Sequence, residues 1–346
     1  MVTTETPSRG RAGLNRRILV VAGLGAAVTL FGGLLPTAAA PTPSSAIREV
    51  APQSLDERVV LTREGDTSVN LVERSLNEVD VTVPDDLSQS IALHDATGRT
   101  ADVGIRLPQA ARQQRLQVDA AGVATIDHRN SSATSPIVKE DGSVQIVTVL
   151  SGPDAPSTYS YELILPAGGR AEIVDGSWVA ILDAQGAFAG GIAPAWAEDA
   201  AGQDVPTRYT LEGTTLTQHV DHADVTYPVV ADPWLGKNLF YSVGRDTYNG
   251  QPRYNLRKSA WGTAVHAPTA AGAAIMLNQG WAEATSRQPG LKAKRTLIQQ
   301  YQCHVGGAVY GIGGVWNLEQ FRPTRTVTWV KGVGTHRCNW KTATYH

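Results

Sequence analysis

Between Val79 and Leu211 the chain alternates apolar and polar residues in short runs that break at Gly, Pro, Asn or Asp, and this limits the possible folds more than any other feature. A period of two puts every second side chain on one face, so each run predicts a half-buried β-strand followed by a turn. Val79, Val81 and Val83 precede Pro84, Val144 and Ile146 follow Asp141-Gly142, and Tyr159, Tyr161, Leu163 and Leu165 precede Pro166. Trp178, Ala180 and Leu182, then Tyr209 and Leu211, continue the series, with turn signals at Gly168-Gly169 and Asp175-Gly176. Such regular spacing predicts an all-β N-terminal domain, an antiparallel sandwich or a barrel-like sheet. One short amphipathic helix is expected near Leu107 to Arg115.

Charge divides what periodicity does not. From Ile47 to Asp232, 12 Lys and Arg stand against 28 Asp and Glu, a net of −16; from Pro233 to His346, 14 stand against 3, a net of +11. The total of −2 therefore sums two strong opposite fields, an asymmetry that reports on partners rather than on fold. The sign changes within Tyr227-Pro228-Val229-Val230-Ala231-Asp232-Pro233-Trp234, where two prolines without amide hydrogens are expected to stop the sheet. This junction resembles one in secreted actinobacterial proteins, in which a similar acidic β-region precedes several unrelated small domains. The resemblance implies a propeptide or carrier followed by its cargo.

Ahead of both halves, Arg9, Arg11, Arg16 and Arg17 precede an uncharged stretch from Ile18 to Leu35 that ends in Ala38, Ala39 and Ala40. That is the three-part layout of an export signal, cleaved near Ala39 or Ala40, with a retained N-terminal membrane anchor as the lesser alternative. The expected organisation is a signal over 1–40, a linker over 41–46, an acidic β-rich region over 47–232 and a basic, Trp-rich domain over 233–346. The expected location is extracellular. Two cysteines, Cys303 and Cys338, lie in the basic part, and in an oxidising compartment they predict a disulfide that stabilises the fold by about 3 to 4 kcal/mol.

The basic half reads as a small α+β domain. Leu239, Tyr241 and Val243 alternate as a strand, Asn249-Gly250 supplies a turn within a connection longer than two residues, and Tyr254 and Leu256 resume the alternation. Thr269 can cap a helix that ends before Pro289-Gly290 and is kinked or split at Gly280. A second helix runs from Thr296 to about His304, Gly306 to Gly314 is a connection, and Val315 to Glu319 and Thr326 to Val330 are closing strands.

Several motifs follow one another in this half: Trp261-Gly262, Pro268, Gly280-Trp281-Ala282-Glu283, Gln300-Tyr301-Gln302-Cys303-His304, Trp316-Asn317-Leu318-Glu319, Phe321-Arg322-Pro323 and Cys338-Asn339. Together they resemble the secreted bacterial family catalogued as domain of unknown function 2599, over about Trp261 to Trp340. The resemblance implies a small extracellular domain with paired cysteines and implies no activity. Asn339-Trp340 departs from it, where a proline would follow the asparagine.

His304 and Glu319 are candidates for a general acid/base pair, with Arg322 orienting an anionic substrate, because imidazole and carboxylate exchange protons near neutral pH. Structural positions beside a disulfide and within a strand explain them more simply. Cys303 is a poor nucleophile if a disulfide consumes its thiol. His219, Asp221, His222 and Asp224 alternate within six residues, but a strand sends them to two faces, so a solvated edge is the better reading than a metal site. The pairs Gly306-Gly307 and Gly313-Gly314 do not form a phosphate-binding loop. No cofactor or metal is called for.

What remains is surface chemistry. The basic half holds six Trp, six Tyr and two Phe beside its 14 cations, a mixture that suits an anionic partner. Arg253, Arg257 and Lys258, with Lys292, Lys294 and Arg295, are the expected contact patches. The partner classes are an anionic cell-surface polymer or membrane and the chain's own acidic region, with nucleic acid a lesser alternative. The leading expectation is a bacteriocin-like or anionic-surface-binding effector masked by its acidic region. A secreted hydrolase of cell wall or nucleic acid using His304 and Glu319, and a non-enzymatic envelope protein whose halves stay joined, are the rivals.

Overall fold

In the computed structural model, residues 42–344 are described except 62–69, 87, 109–115, 267–268, 308–313 and 329–337. The export signal and most of the helix expected near Leu107 to Arg115 lie outside the described residues; Leu107 and Pro108 themselves are not helical.

The expected linker is instead helical. Thr42 accepts a hydrogen bond from the Ser45 amide and Pro43 occupies the first turn, so a cap and a preset φ start helix α1 (Pro43–Val50). Ala46, Ile47 and Val50 are buried on its inner side. Four strands follow, β1 (Asn70–Leu76), β2 (Val79–Pro84), β3 (Ile91–Asp95) and β4 (Val103–Arg106). Next come β5 (Gln117–Val118), β6 (Ala124–Asp127), β7 (Ser132–Val138), β8 (Val144–Leu150) and β9 (Thr158–Ile164). The acidic half continues through β10 (Arg170–Val174), β11 (Trp178–Leu182), β12 (Phe188–Ile192), β13 (Trp196–Asp199), β14 (Thr207–Glu212) and β15 (Thr215–Val220).

These strands pair antiparallel into two sheets. One has the order β1-β2-β3-β4-β9-β15-β14, and the other contains β5 to β8 and β10 to β13. Val81, Leu93, Ile105 and Leu163 of the first meet Ile126, Ile146, Val179 and Ile181 of the second in one aliphatic core, so the sandwich read from the alternation is the architecture.

The junction departs from expectation. Val229–Asp232 is a strand, β16, between β13 and β8, and Trp234–Gly236 is another, β17, between β12 and β8. Neither proline ends the sheet. Pro228 precedes β16, and Pro233 lies between the two strands where only its carbonyl is used, accepting the Ile146 amide. Val229, Val230, Ala231 and Leu235 have no exposed surface.

The basic half forms a three-stranded sheet, β18 (Phe240–Tyr248), β19 (Gln251–Lys258) and β20 (Trp316–Glu319). Asn249 and Gly250, at φ 50° and 70°, join β18 to β19 directly, so the hairpin has the two-residue turn that Asn-Gly favours rather than a longer connection. Helices α2 (Ala260–Val265), α3 (Ala270–Ile275), α4 (Trp281–Arg287) and α5 (Arg295–Gly307) cover its inner face. The helix capped by Thr269 is split as expected near Gly280, by a π-turn over Met276–Gly280. The Tyr301 hydroxyl enters there to donate to the Met276 carbonyl at 2.6 Å, in the space a Cβ on Gly280 would take.

Cys303 and Cys338 are bonded, with Cα atoms 5.4 Å apart, and the buried Trp340 packs on them. Thr326–Thr328 is not a strand. The rest of that expected strand, 329–330, lies outside the described residues. Helix α5 packs beside β20, where Gln300 donates to the Glu319 carbonyl at 3.0 Å and accepts its amide at 2.8 Å, as a paired strand would. Gln299 does the same for Arg325, at 2.9 Å in both directions. Residues 41–346 thus form one compact unit, an all-β domain with a small α+β domain carrying the disulfide.

Candidate functional site

The outer face of the larger sheet is covered in two pieces. Val147, Val149 and Val230 pack under α1, while Trp178, Ala180 and Leu182 pack under Phe240, Trp261 and Val265 of the basic half. Register places the residues left between the covers. Trp234 lies opposite Gln145 and Asp232 opposite Trp196, and residues opposite each other in an antiparallel pair share a face. Gln145, Trp196, Asp232 and Trp234 therefore gather along one seam. A cavity of about 290 Å³ opens there, with Ser54, Pro194 and Ala264 completing much of its wall. Gln53 and Trp234 also line a second cavity of about 550 Å³, walled by Asp56, Glu57, Lys139, Glu140, Arg257 and Lys258.

Two ionisable groups are buried at this seam. Lys139 donates to the carbonyls of Ser54 at 2.7 Å, Asp56 at 2.9 Å and Gln53 at 3.4 Å, and its Nζ stands 5.4 Å from the Trp234 ring centre. Burial pushes its pKa down to about 8, against the opposing pull of Asp141, Asp56 and Asp232. All three ammonium protons are committed, so Lys139 pins the Pro52–Leu55 turn to the sheet and is no free nucleophile. Asp232 is pushed up to about 7 by burial, opposed by the Gln145 amide, 2.5 Å away, and by Lys139. Two buried atoms on residues of the smaller cavity lack a partner: Gln145 Oε1 and Ser54 Oγ. The wall of the smaller cavity thus combines two half-buried indoles with the nearly closed side chains of Gln145, Ser54 and Asp232.

The residues expected to be catalytic do not make such a site. His304 is 5% exposed and stacks flat on Trp316, with ring centres 5.5 Å apart. Burial lowers its pKa to about 4, against the nearby Asn317 backbone, and neither ring nitrogen has a partner in bonding geometry. Glu319 is buried and bonded to Arg322 Nε, while Arg322 Nη1 donates to the Trp340 carbonyl at 3.0 Å. Arg322 ties Glu319 to the disulfide loop, and Trp340 holds that loop further by donating to the Pro323 carbonyl at 2.8 Å.

The expected cationic patches are largely engaged within the chain. Arg253 is bonded to Asp246 and lies 4.9 Å from the Tyr248 ring centre. Lys258 faces His266 at 3.1 Å and Trp316 at 5.7 Å, and Lys294 donates to the Gln320 carbonyl. Arg257 stacks on Tyr241 with Glu57 3.9 Å away. Lys292 and Arg295 are exposed, as is Arg245, which the sequence did not single out. Arg325, also unanticipated, is 3% exposed and lies 5.2 Å from the Trp340 ring centre.

Across the seam, Arg287 pairs with Glu78 at 2.9 Å, and Lys237 donates to the Ala189 carbonyl at 2.9 Å and to that of Ala101. Asp141 accepts the Trp261 amide at 3.0 Å, capping α2 from the other half.

Among the described residues no group of three or more His, Cys, Asp and Glu could hold a metal ion. His219 bonds Thr210 through Nε2 at 2.9 Å and His222 bonds Tyr227 through Nδ1 at 2.7 Å, so one nitrogen of each imidazole is engaged in the open cleft of about 680 Å³ that they line. No helix among the described residues is long and apolar enough to cross a membrane.

Lys139, Gln145 and Asp232 carry no motif, because strands distant in sequence bring them together. A pointer existed in Gln145, which stands inside the largely apolar strand Val144–Leu150, since a polar group in a doubly buried strand needs a partner. No family model, curated protein or solved structure matches the chain.

Proposed function

We propose that this chain works as one uncleaved, non-enzymatic binding protein of the cell envelope, its two halves joined permanently. One observation carries the reading: residues 229–236, which would have to separate for the basic half to be released, are two buried strands inside the larger sheet. Withdrawing them would open both the aliphatic core and the seam. The charge contrast then has an internal use, since Arg257, Arg287 and Lys237 of the basic half all meet groups of the acidic half. Arg245, Lys292 and Arg295, exposed on the basic half, are left to attract an anionic envelope polymer.

Intact-mass analysis of protein recovered outside the cell tests this reading. A single species continuing through to His346 is expected. Abundant fragments beginning between Ala231 and Trp234 would replace it with the masked-effector reading.

A further inference from the structure

We infer that the second seam cavity, between Glu57 and Arg257, binds a small zwitterion, an amino acid or short peptide that carries both a free ammonium and a free carboxylate. The inference rests on the two halves staying joined, because the acidic half supplies Asp56, Glu57 and Glu140 to the wall, and the basic half supplies Tyr241, Arg257 and Lys258.

The cationic wall is built around Arg257. Its guanidinium lies 5.0 Å from the Tyr241 ring centre, and 58% of its side-chain surface is exposed. The nearest carboxylate oxygen, Glu57 Oε1, is 3.9 Å away, too far for a hydrogen bond, so the fork keeps its N–H groups free among the described residues. Arg253 on the same strand differs, since Asp246 takes its Nε at 2.9 Å and its Nη2 at 2.5 Å. A planar fork seated on a ring with its donors free is a preformed receptor for a carboxylate.

The facing wall is anionic. The Glu140 amide donates to the Glu57 carbonyl at 2.8 Å, which sets these two residues side by side. Glu57 has φ 51°, in the left-handed region that few residues other than glycine adopt, a strain that persists where the surrounding structure imposes it. The Asp56 and Glu140 side chains are exposed and form no hydrogen bond or close ion pair among the described residues. Three carboxylates thus face an ammonium-sized space with only the loose Arg257 contact between them.

Opposite walls of opposite charge narrow the ligand class. A ligand of one sign is drawn to one wall and repelled by the other, whereas a zwitterion is held by both. The rings of Trp234 and Tyr241 offer faces for its uncharged body. At about 550 Å³ the cavity falls within the range of small-molecule sites, about 300 to 1,000 Å³. The adjoining smaller cavity has no such pair of walls, since no cation lines it.

The test is calorimetric titration of the full chain, its mass verified as uncleaved, with alanine, dialanine and trialanine. The three probes separate a free amino acid from a peptide. Binding of at least one is expected at roughly millimolar strength or better. Its N-acetyl and C-terminal amide forms, each lacking one charge, should bind about tenfold more weakly or worse. Arg257→Ala should lower the affinity for the uncapped probe to that of its amide form, and Glu57→Gln combined with Glu140→Gln should lower it to that of the N-acetyl form. His222→Ala, in the other cleft, should leave binding unchanged.

The inference is overturned if the uncleaved chain binds none of the three at about 10 mM, or if a capped form binds as tightly as its parent. Full affinity in folded Arg257→Ala would also overturn it. A cleaved sample would instead sink the joined reading, so the two failures are distinct.

Discussion

The two halves of this molecule reach the same burial by different means. In the sandwich, aliphatic strands meet face to face, and Val81, Leu93, Val144, Ile146, Val179 and Ile192 are almost wholly buried without any polar interaction of their side chains. In the basic half the core is built on Trp261, Trp316, Tyr301 and Phe240, and polar side chains complete its geometry: the Tyr301 hydroxyl, the Gln299 and Gln300 amides and the Arg322 fork. A small domain gains more buried area per residue from aromatic rings, but each N–H or O–H must then be bonded or left costly. The difference predicts a sandwich tolerant of single substitutions and a basic half that is brittle.

Truncating Trp261 should have the largest effect. It is fully buried, donates to the Trp234 carbonyl at 3.0 Å, and packs where Gly236 leaves space for its ring. Trp261→Ala should destabilise the whole chain by about 4 kcal/mol, read by urea unfolding, whereas Ile181→Val in the sandwich should cost about 1 kcal/mol. Equal losses would break the comparison.

Removing the disulfide comes next. Cys338→Ser should cost about 3 kcal/mol, because the loop that carries Trp340 then regains its freedom. Peptide mapping without reduction should find Cys303 joined to Cys338. Both thiols free in protein recovered outside the cell would contradict this.

Acidity separates the seam from both cores. Asp232 holds its proton to about pH 7 when folded but releases it near pH 4 when unfolded. The folded chain therefore binds more protons between those values. The stability this contributes is fully present below about pH 4 and is lost as pH rises through about 7, by roughly 4 kcal/mol. His266 and His304, lowered by burial to about 4, act oppositely from about pH 4 to 6.5. Asp232→Asn should remove only the falling component, making stability rise more steeply between pH 4.5 and 7. An unchanged pH profile would mean that Asp232 does not titrate as the seam requires.

The smallest effect is expected at the surface. Arg257→Ala breaks an exposed pair at 3.9 Å and should change stability by no more than about 0.5 kcal/mol.

How legible these features were depends on how local their causes are. Strand β9 was plain because Tyr159, Tyr161 and Leu163 are buried while Thr158, Ser160 and Glu162 between them are exposed. The Thr269 cap and the split at Gly280 were equally local, and the pairing of Cys303 with Cys338 followed from having two cysteines. The junction was misread because proline signals only the missing N–H, and whether a neighbouring strand needs that donor is a tertiary fact. The same holds for residues 326–328, which are not a strand and follow Arg325, whose backbone is bonded by the Gln299 side chain instead. The mixture of cations and aromatics looked like a surface for others, yet Arg253, Arg257 and Lys258 stack on Tyr248, Tyr241 and Trp316 of their own domain. Beyond the lone Gln145 in its apolar strand the seam was not legible, since Lys139, Gln145, Trp196 and Asp232 meet only once the sheet is assembled.

The central claim is that the point where charge changes sign is a structural strand of an undivided molecule. Native-state hydrogen exchange of the Val230 and Ala231 amides, measured against amides of β7 and β8, tests it most directly. The account predicts exchange only through global unfolding, with the same opening free energy as those neighbours. Exchange faster by orders of magnitude at Val230 and Ala231 than in β7 and β8, as a hinge or processing linker would show, would contradict it.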